Sequence, residues 1–132
     1  MNQRVLLDTQ VLLAIGLEGI GSVPAKIRRL LLDPETERVL SAVSITEIAI
    51  KNSIGKIEAT SELVSEMIAD LKMTVIPFTP AHAHRMFGLP LHHREPFDRM
   101  IIAVALSENL LLIGGDGEFA KYKAQGLSVI WK

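Results

Sequence analysis

Short apolar runs alternate along this chain with longer stretches in which apolar positions recur every three or four residues. The short runs are RVLLD (4–8), ERVLSAVS (37–44), MTVIPF (73–78), LLLIGG (110–115) and LSVIW (127–131), and each reads as a strand. They are apolar with little alternation, a pattern that suits strands covered on both faces. The longer stretches read as helices. Ile27, Leu30 and Leu31 fall at helical spacing in VPAKIRRLLLD, as do Ile45, Ile48, Ala49 and Ile54 in SITEIAIKNSIG. SELVSEMIADL contributes Leu63, Val64, Met67, Ile68 and Leu71. TPAHAHRMFGL opens on a Thr79 cap with Pro80 at the favoured first position. PFDRMIIAVALSEN sets Phe97, Met100, Ile101, Val104 and Ala105 on one stripe, and GDGEFAKYKAQG is a short helix closed by Gly126.

Strands alternating with helices imply an α/β fold, a parallel sheet with helices on both faces. Ligands and chemistry in such folds gather beyond the carboxyl ends of the strands, so the strand ends are where functional residues are sought.

Composition narrows the chemistry. With 132 residues and 48% hydrophobic positions, the chain is expected to form one domain, 1–132, around a well-buried core. A formal net charge of −1 argues against a chain-wide electrostatic clamp on nucleic acid. The absence of cysteine removes disulfides, thiolate metal sites and cysteine nucleophiles. The first apolar run, Val5 to Leu7, stops at Asp8, far short of a signal or membrane segment. The expectation is a soluble cytoplasmic protein without membrane association.

The chain has five aspartates, and three of them lie where the chemistry should be. Asp8 ends the first strand, Asp116 follows the fourth, and Asp98 opens the helix that leads into the fourth. Glu47 is expected in the first turn of the helix after the second strand. Each has a bland reading. Ser44-Ile45-Thr46-Glu47 matches a capping box, Asp98 suits its own helix dipole, Asp116-Gly117 suits a turn, and Asp8 caps the helix after it. Caps, however, need not all fall on one edge of a sheet. Unit charges about 5 Å apart repel by roughly 3 kcal/mol at an effective dielectric near 20. Converging carboxylates therefore need protons or a cation. Oxygen donors without cysteine or a histidine cluster favour Mg²⁺ or Mn²⁺. Such an ion suits phosphodiester hydrolysis, with metal-bound water as the expected nucleophile.

At these residues the chain resembles the PIN-domain ribonucleases, particularly VapC-type toxins of bacterial type II toxin–antitoxin systems. The resemblance is carried in order by VLLDTQVLL, SAVSITEIAIKNSIGKI, LPLHHREPFDRMIIAVAL and LLIGGDGEFAKY. It implies a three-layer α/β/α sandwich with a five-stranded parallel sheet, and a pocket in which Asp8, Glu47, Asp98 and Asp116 hold Mg²⁺ or Mn²⁺. It further implies an RNA substrate, single-stranded or structured, a cognate antitoxin and a homodimer. Three positions depart from the pattern. Gly114 stands where the family often has Thr or Ser, Thr46 where this subtype commonly has Trp, and Glu95 where Asp is more usual.

Other candidates keep two readings. Thr9 either positions a pocket acid or caps the next helix. His93 lines the pocket, touches RNA, or makes an ordinary surface hydrogen bond. Arg99 binds phosphate through its planar fork or pairs with a neighbouring acid. Lys26, Arg28 and Arg29 read as a solvated helix face. His82 and His84 face apart, and no H-E-x-x-H motif is present.

Two other α/β functions are disfavoured. A phosphate-accepting receiver needs an Asp ending the third strand, where Pro77 and Phe78 stand, and a haloacid-dehalogenase-type phosphatase needs D-x-D, where Thr9 and Gln10 follow Asp8. A PIN-like domain without catalysis, acting as an RNA- or protein-binding scaffold, remains the alternative.

Overall fold

A computed structural model describes residues 3–132. Five strands, β1 (Arg4–Leu7), β2 (Glu37–Ser41), β3 (Thr74–Ile76), β4 (Leu111–Ile113) and β5 (Val129–Ile130), form one parallel sheet in the order β3-β2-β1-β4-β5. The α-helices are α1 (Thr9–Glu18), α2 (Ala25–Leu32), α3 (Ala42–Ser53), α4 (Ser61–Asp70), α5 (Pro80–Arg85) and α6 (Pro96–Glu108). The expected parallel α/β sandwich is the fold observed.

β1 organises the core. Val5, Leu6 and Leu7 are fully buried, and successive side chains enter opposite layers. Leu6 packs with Ile101 to Ala105 of α6, while Val5 and Leu7 pack with Val11 of α1 and Ile27 and Leu31 of α2. Each such side chain contributes roughly 1.5–3 kcal/mol by leaving water. α1 is nearly apolar all round because Val11 and Ile15 face one cluster while Leu12 and Leu13 face another with α3 and α4. The edge strand β3 departs from the two-sided burial expected of its sequence. Val75 remains 40% exposed, since no further strand or helix covers that margin.

The strands are shorter than the apolar runs that announce them, and two differences from the sequence reading bear on the site. The second strand ends at Ser41, three residues earlier than expected, because the Ser41 side chain accepts from the Val43 amide and opens α3 there. The last expected helix is a 3-10 segment, Gly117–Gln125, although Gly126 does close it at φ 99°. α5 keeps its Thr79 cap and Pro80, and passes into a 3-10 turn at Met86–Gly88.

The sheet order reverses direction across β1 and β4. Beyond that switch point a parallel sheet leaves a crevice at its carboxyl edge. The pairing continues past the strands: the Asp8 amide donates to the Ile113 carbonyl at 3.0 Å, so Asp8 and Gly114 leave the sheet side by side.

Candidate active site

Each acid reaches this edge by its own local device. Asp8 holds the N-cap position of α1, yet its side chain makes no capping hydrogen bond, against the expected cap. It is 3% exposed, and its Oδ1 is buried with no partner. The Ser44 capping box does not form either. Because α3 begins at Ala42, Ser44 lies buried in the first turn and Glu47 sits in the second, not the first. Ser44 instead receives the Thr9 hydroxyl hydrogen at 2.8 Å, tying α3 to the start of α1. The Thr9 hydroxyl thus neither caps α1 nor donates to a pocket acid.

Glu47, freed from capping, is 2% exposed. Its Oε2 accepts from Lys51 one helical turn on, and its Oε1 is buried without a partner. The hydrogen bond to Glu47 raises the Lys51 ammonium above its ordinary value. Sequence reasoning missed Lys51, although its i,i+4 spacing from Glu47 was a usable signal.

Asp98 lies at the third position of α6, after Pro96 at the first. The helix is capped by Glu95, whose Oε2 accepts from the Asp98 amide at 2.8 Å, so Glu95 serves where Asp is more usual. Asp116 begins the 3-10 segment and accepts from the Glu118 amide at 2.9 Å. It caps that segment rather than only forming the turn expected with Gly117, and a second role coexists with the cap.

His93 joins these last two acids. Its Nε2 lies 3.0 Å from Asp98 Oδ2 and 2.9 Å from Asp116 Oδ2, and the side chain is only 11% exposed. The Glu95 amide donates to His93 Nδ1 at 3.2 Å, which needs a lone pair there and leaves the ring proton on Nε2. That N–H is hydrogen-bonded to Asp116, while the Asp98 oxygen lies in close contact with the same nitrogen. The three side chains offer atoms within 4.8 Å of one another, the spacing of a metal triad. A ligating imidazole, however, ordinarily donates its other N–H to an acceptor, and here that nitrogen faces a donor. His93 braces the acids as a hydrogen-bond donor.

Arg99 takes neither expected role. Its Nη1 donates to the Pro90 carbonyl at 2.9 Å, and the Tyr122 hydroxyl donates to the same carbonyl at 2.8 Å. The Tyr122 oxygen accepts from the amides of His92 and His93 at 3.1 and 2.9 Å. This network holds the loop that presents His93.

Asp8, Asp98 and Asp116 line one cleft of about 450 Å³ together with Val11, Ala14 and Trp131. Glu47 is not on its lining, but its charge acts on both Asp8 and Asp98. Burial pushes the Asp8 carboxyl up to about 7, with Asp98, Glu47 and Asp116 adding to the push. Burial and then Glu95 raise Asp98 to about 6, against the pull of His93. Burial also acts upward on Asp116, but the Glu118 amide and His93 outweigh it and hold that carboxyl below its ordinary value. Two unpartnered buried carboxylate oxygens next to two more acids fit a hard cation, since its oxygen coordination would satisfy both.

Gly114 has a packing reason. A Cβ there would fall 2.6 Å from Cε2 of the fully buried Phe119 and 3.3 Å from the Asp8 Cβ. The Phe119 ring fills the space that a hydroxyl side chain would need. Lys26 and Arg29 are exposed and Arg28 half-buried, in keeping with a solvated face. Among the described residues, no helix is long and apolar enough to cross a membrane.

The model of the PIN domain family matches residues 5–125. Among solved structures, the chain is similar to VapBC2 from Rickettsia felis, bound to a DNA fragment from its promoter, with a TM-score of 0.69 at 14% identity over 98% of this chain and all of that one. It is similar to VapBC-5 from Mycobacterium tuberculosis with a TM-score of 0.62, at 20% identity over 98% of each chain. A toxin–antitoxin complex from Klebsiella pneumoniae gives 0.63 at 18% identity, over 96% of this chain and 95% of that one. At these identities the likeness is one of fold. No curated protein matches the sequence.

Proposed function

The chain belongs to the PIN-domain family, and on that premise we propose that it is a divalent-metal-dependent endoribonuclease, the toxin of a toxin–antitoxin pair. The observation that carries the catalytic reading is the pair of buried, unpartnered oxygens, Asp8 Oδ1 and Glu47 Oε1, beside Asp98 and Asp116. A structural cluster would satisfy those oxygens internally, because an orphaned buried carboxylate oxygen is costly. Asp8, Glu47, Asp98 and Asp116 would hold Mg²⁺ or Mn²⁺, which when bound supplies charge neutralisation at the phosphate and an acidified water.

The chain's own residues do the rest. Asp8 and Glu47 present one free oxygen each from a dry floor, where no water competes for them. His93 holds one oxygen of Asp116 by a hydrogen bond and keeps its Nε2 against Asp98, which orders the rim before anything binds. Lys51 keeps Glu47 Oε2 turned toward it. Arg99 and Tyr122 hold the loop from Leu89 to His93 in place. Thr9 fixes the start of α1 against α3, and so the Asp8 backbone against Glu47.

The toxin reading rests on likeness of fold to proteins solved as VapBC and toxin–antitoxin complexes. A small antitoxin that covers the cleft, and a homodimer, belong to the same proposal.

The test is cleavage of total RNA in Mg²⁺ or Mn²⁺ by the wild type and by Asp98→Asn. The variant should lose at least about a hundredfold in rate, the scale on which removing one charge-stabilising group acts, while folding as well as or slightly better than the wild type. Near-normal cleavage by Asp98→Asn would refute the assignment. Cation binding without cleavage of any RNA would favour a binding scaffold.

A further inference from the structure

The cleft beside the acids has a mixed lining. Asp8, Asp98 and Asp116 line it beside the polar Gln10 and Ser22, and Val11, Ala14 and Trp131 add apolar surface. Trp131 is the chain's only tryptophan. Its indole lies directly against Gly115, where an added Cβ would come within 2.9 Å of Cε2 and 3.1 Å of Nε1. Gly115 precedes Asp116, so the missing side chain lets the ring settle at the edge of the acid cluster. Part of the ring packs on Val5, Ile113 and their neighbours, and part stays accessible to the cleft. That packing fixes the ring's position without hiding it.

A nucleotide combines an anionic phosphate with a flat, weakly polar base. Among the described residues, neither Lys nor Arg lines this cleft. Affinity for a polyanion here cannot come from phosphate contacts with basic side chains, the usual source for nucleic-acid binders. Stacking on an aromatic ring is the charge-independent alternative, and it tolerates every base because each has a π-face. The volume of about 450 Å³ lies within the range of small-ligand sites, roughly 300–1,000 Å³.

We propose that Trp131 is the stacking platform for the base of the nucleotide whose phosphate reaches the acids. The inference rests on the nuclease reading and adds the contact that holds the substrate's base. A guanidinium from a protein partner would also suit an indole beside carboxylates. With the acid charge neutralised by a bound cation, the flat base is the better fit.

The single tryptophan makes the test direct. Wild-type protein in Mg²⁺ is titrated with adenosine 5′-monophosphate, which has no phosphodiester to hydrolyse, and with ribose 5-phosphate, while indole emission is followed. Saturable quenching by the nucleotide and none by the sugar phosphate is the expected result. Trp131→Ala should raise KM for a short single-stranded RNA by about 5- to 100-fold with little change in kcat, the signature of lost uniform binding. Trp131→Phe should recover most of that loss. RNA binding by the wild type should weaken only slightly with added salt.

Unchanged emission at nucleotide concentrations that inhibit cleavage would overturn the proposal, as would a Trp131→Ala variant with wild-type KM. Quenching by an arginine-containing peptide with the nucleotide inert would also overturn it, in favour of a protein segment as occupant. Nucleotide quenching in a protein that cleaves no RNA would sustain the stacking site and remove the nuclease reading instead.

Discussion

Asp8 and Glu47 sit almost out of reach of solvent, each with one oxygen left without a partner, whereas Asp98 and Asp116 lie nearer the surface, both within 3.0 Å of His93 Nε2, which is hydrogen-bonded to Asp116. The first pair is kept dry by the folds that carry it. Asp8 ends a fully buried strand, and Glu47 is on the inner face of a helix whose start is pinned by Ser41 and by the Thr9–Ser44 hydrogen bond. In the second pair, Asp116 is held by hydrogen bonds from His93 and the Glu118 amide, and Asp98 by its place against the same imidazole. The difference teaches that a charged pocket can be prepared in two ways at once, by withholding partners at its floor and supplying one at its rim.

The sharpest way to break the comparison is at the floor. Asp8 has a folded-state value of about 7 against an ordinary 3.8, so it binds its proton more readily folded than unfolded. Its contribution to stability is fully present below about pH 4 and is lost as pH rises through 7. At pH 8 the ionised group costs up to roughly 4 kcal/mol at 1.36 kcal/mol per pKa unit. Asp8→Asn should therefore stabilise the metal-free protein at pH 8 by as much as that and change it little near pH 4. Denaturation in EDTA at both pH values checks this, and equal effects at the two would contradict the dry floor.

A smaller effect is expected at Lys51. Removing the partner of a buried carboxylate typically costs 3–5 kcal/mol, but the Lys51 side chain is 23% exposed, so water already shares its charge. Lys51→Met should cost about 1–3 kcal/mol without metal. Added Mg²⁺ should recover part of the loss, read as a larger rise in melting temperature than the wild type shows. An identical rise in both proteins would mean that Glu47 lies outside the cation's reach.

The mildest change probes the rim. A partner that orients a ligand is typically worth about 10- to 100-fold in metal affinity, so His93→Ala should weaken Mn²⁺ binding by about that much. His93→Gln keeps an N–H donor near the same place and should stay within about threefold of the wild type. Nitrogen coupling from an imidazole in the electron spin echo of bound Mn²⁺ would show His93 to be a ligand and remove the bracing role.

Much of this architecture was legible in the sequence because it depends on local signals. Apolar runs mark β1 and β4, and an acid directly after such a run must lie at the strand's carboxyl end. Pro96 marks the start of α6, and with it the placement of Asp98. The start of α3 was not legible in this way. Ser41 and Ser44 are both acceptable caps, and the choice is made by the Thr9–Ser44 hydrogen bond across 35 residues of chain. The same holds for His93, whose tautomer depends on the direction of the Glu95 amide, and for Arg99, whose partners are backbone carbonyls of the preceding loop. Trp131 offers no sequence signal at all, because its place in the cleft depends on Gly115, two residues past the end of β4. Composition spoke for a cation and the sequence named His93 as a pocket candidate, while Lys51 and the contacts of His93 with Asp98 and Asp116 became apparent only from the geometry.

Gly114 and Phe119 also bear on how this chain can change. Phe119 fills the space beside Gly114, and a Cβ at 114 would collide with a ring that has nowhere to move. Installing Ser at 114 while Phe119 remains should be damaging, and trimming Phe119 first would leave a void of its own. Each single step should therefore cost stability, and the two made together should cost less than their sum. The chain is separated from a serine-bearing pocket by a barrier of mutational order, and any lineage that crosses it must change both positions almost together.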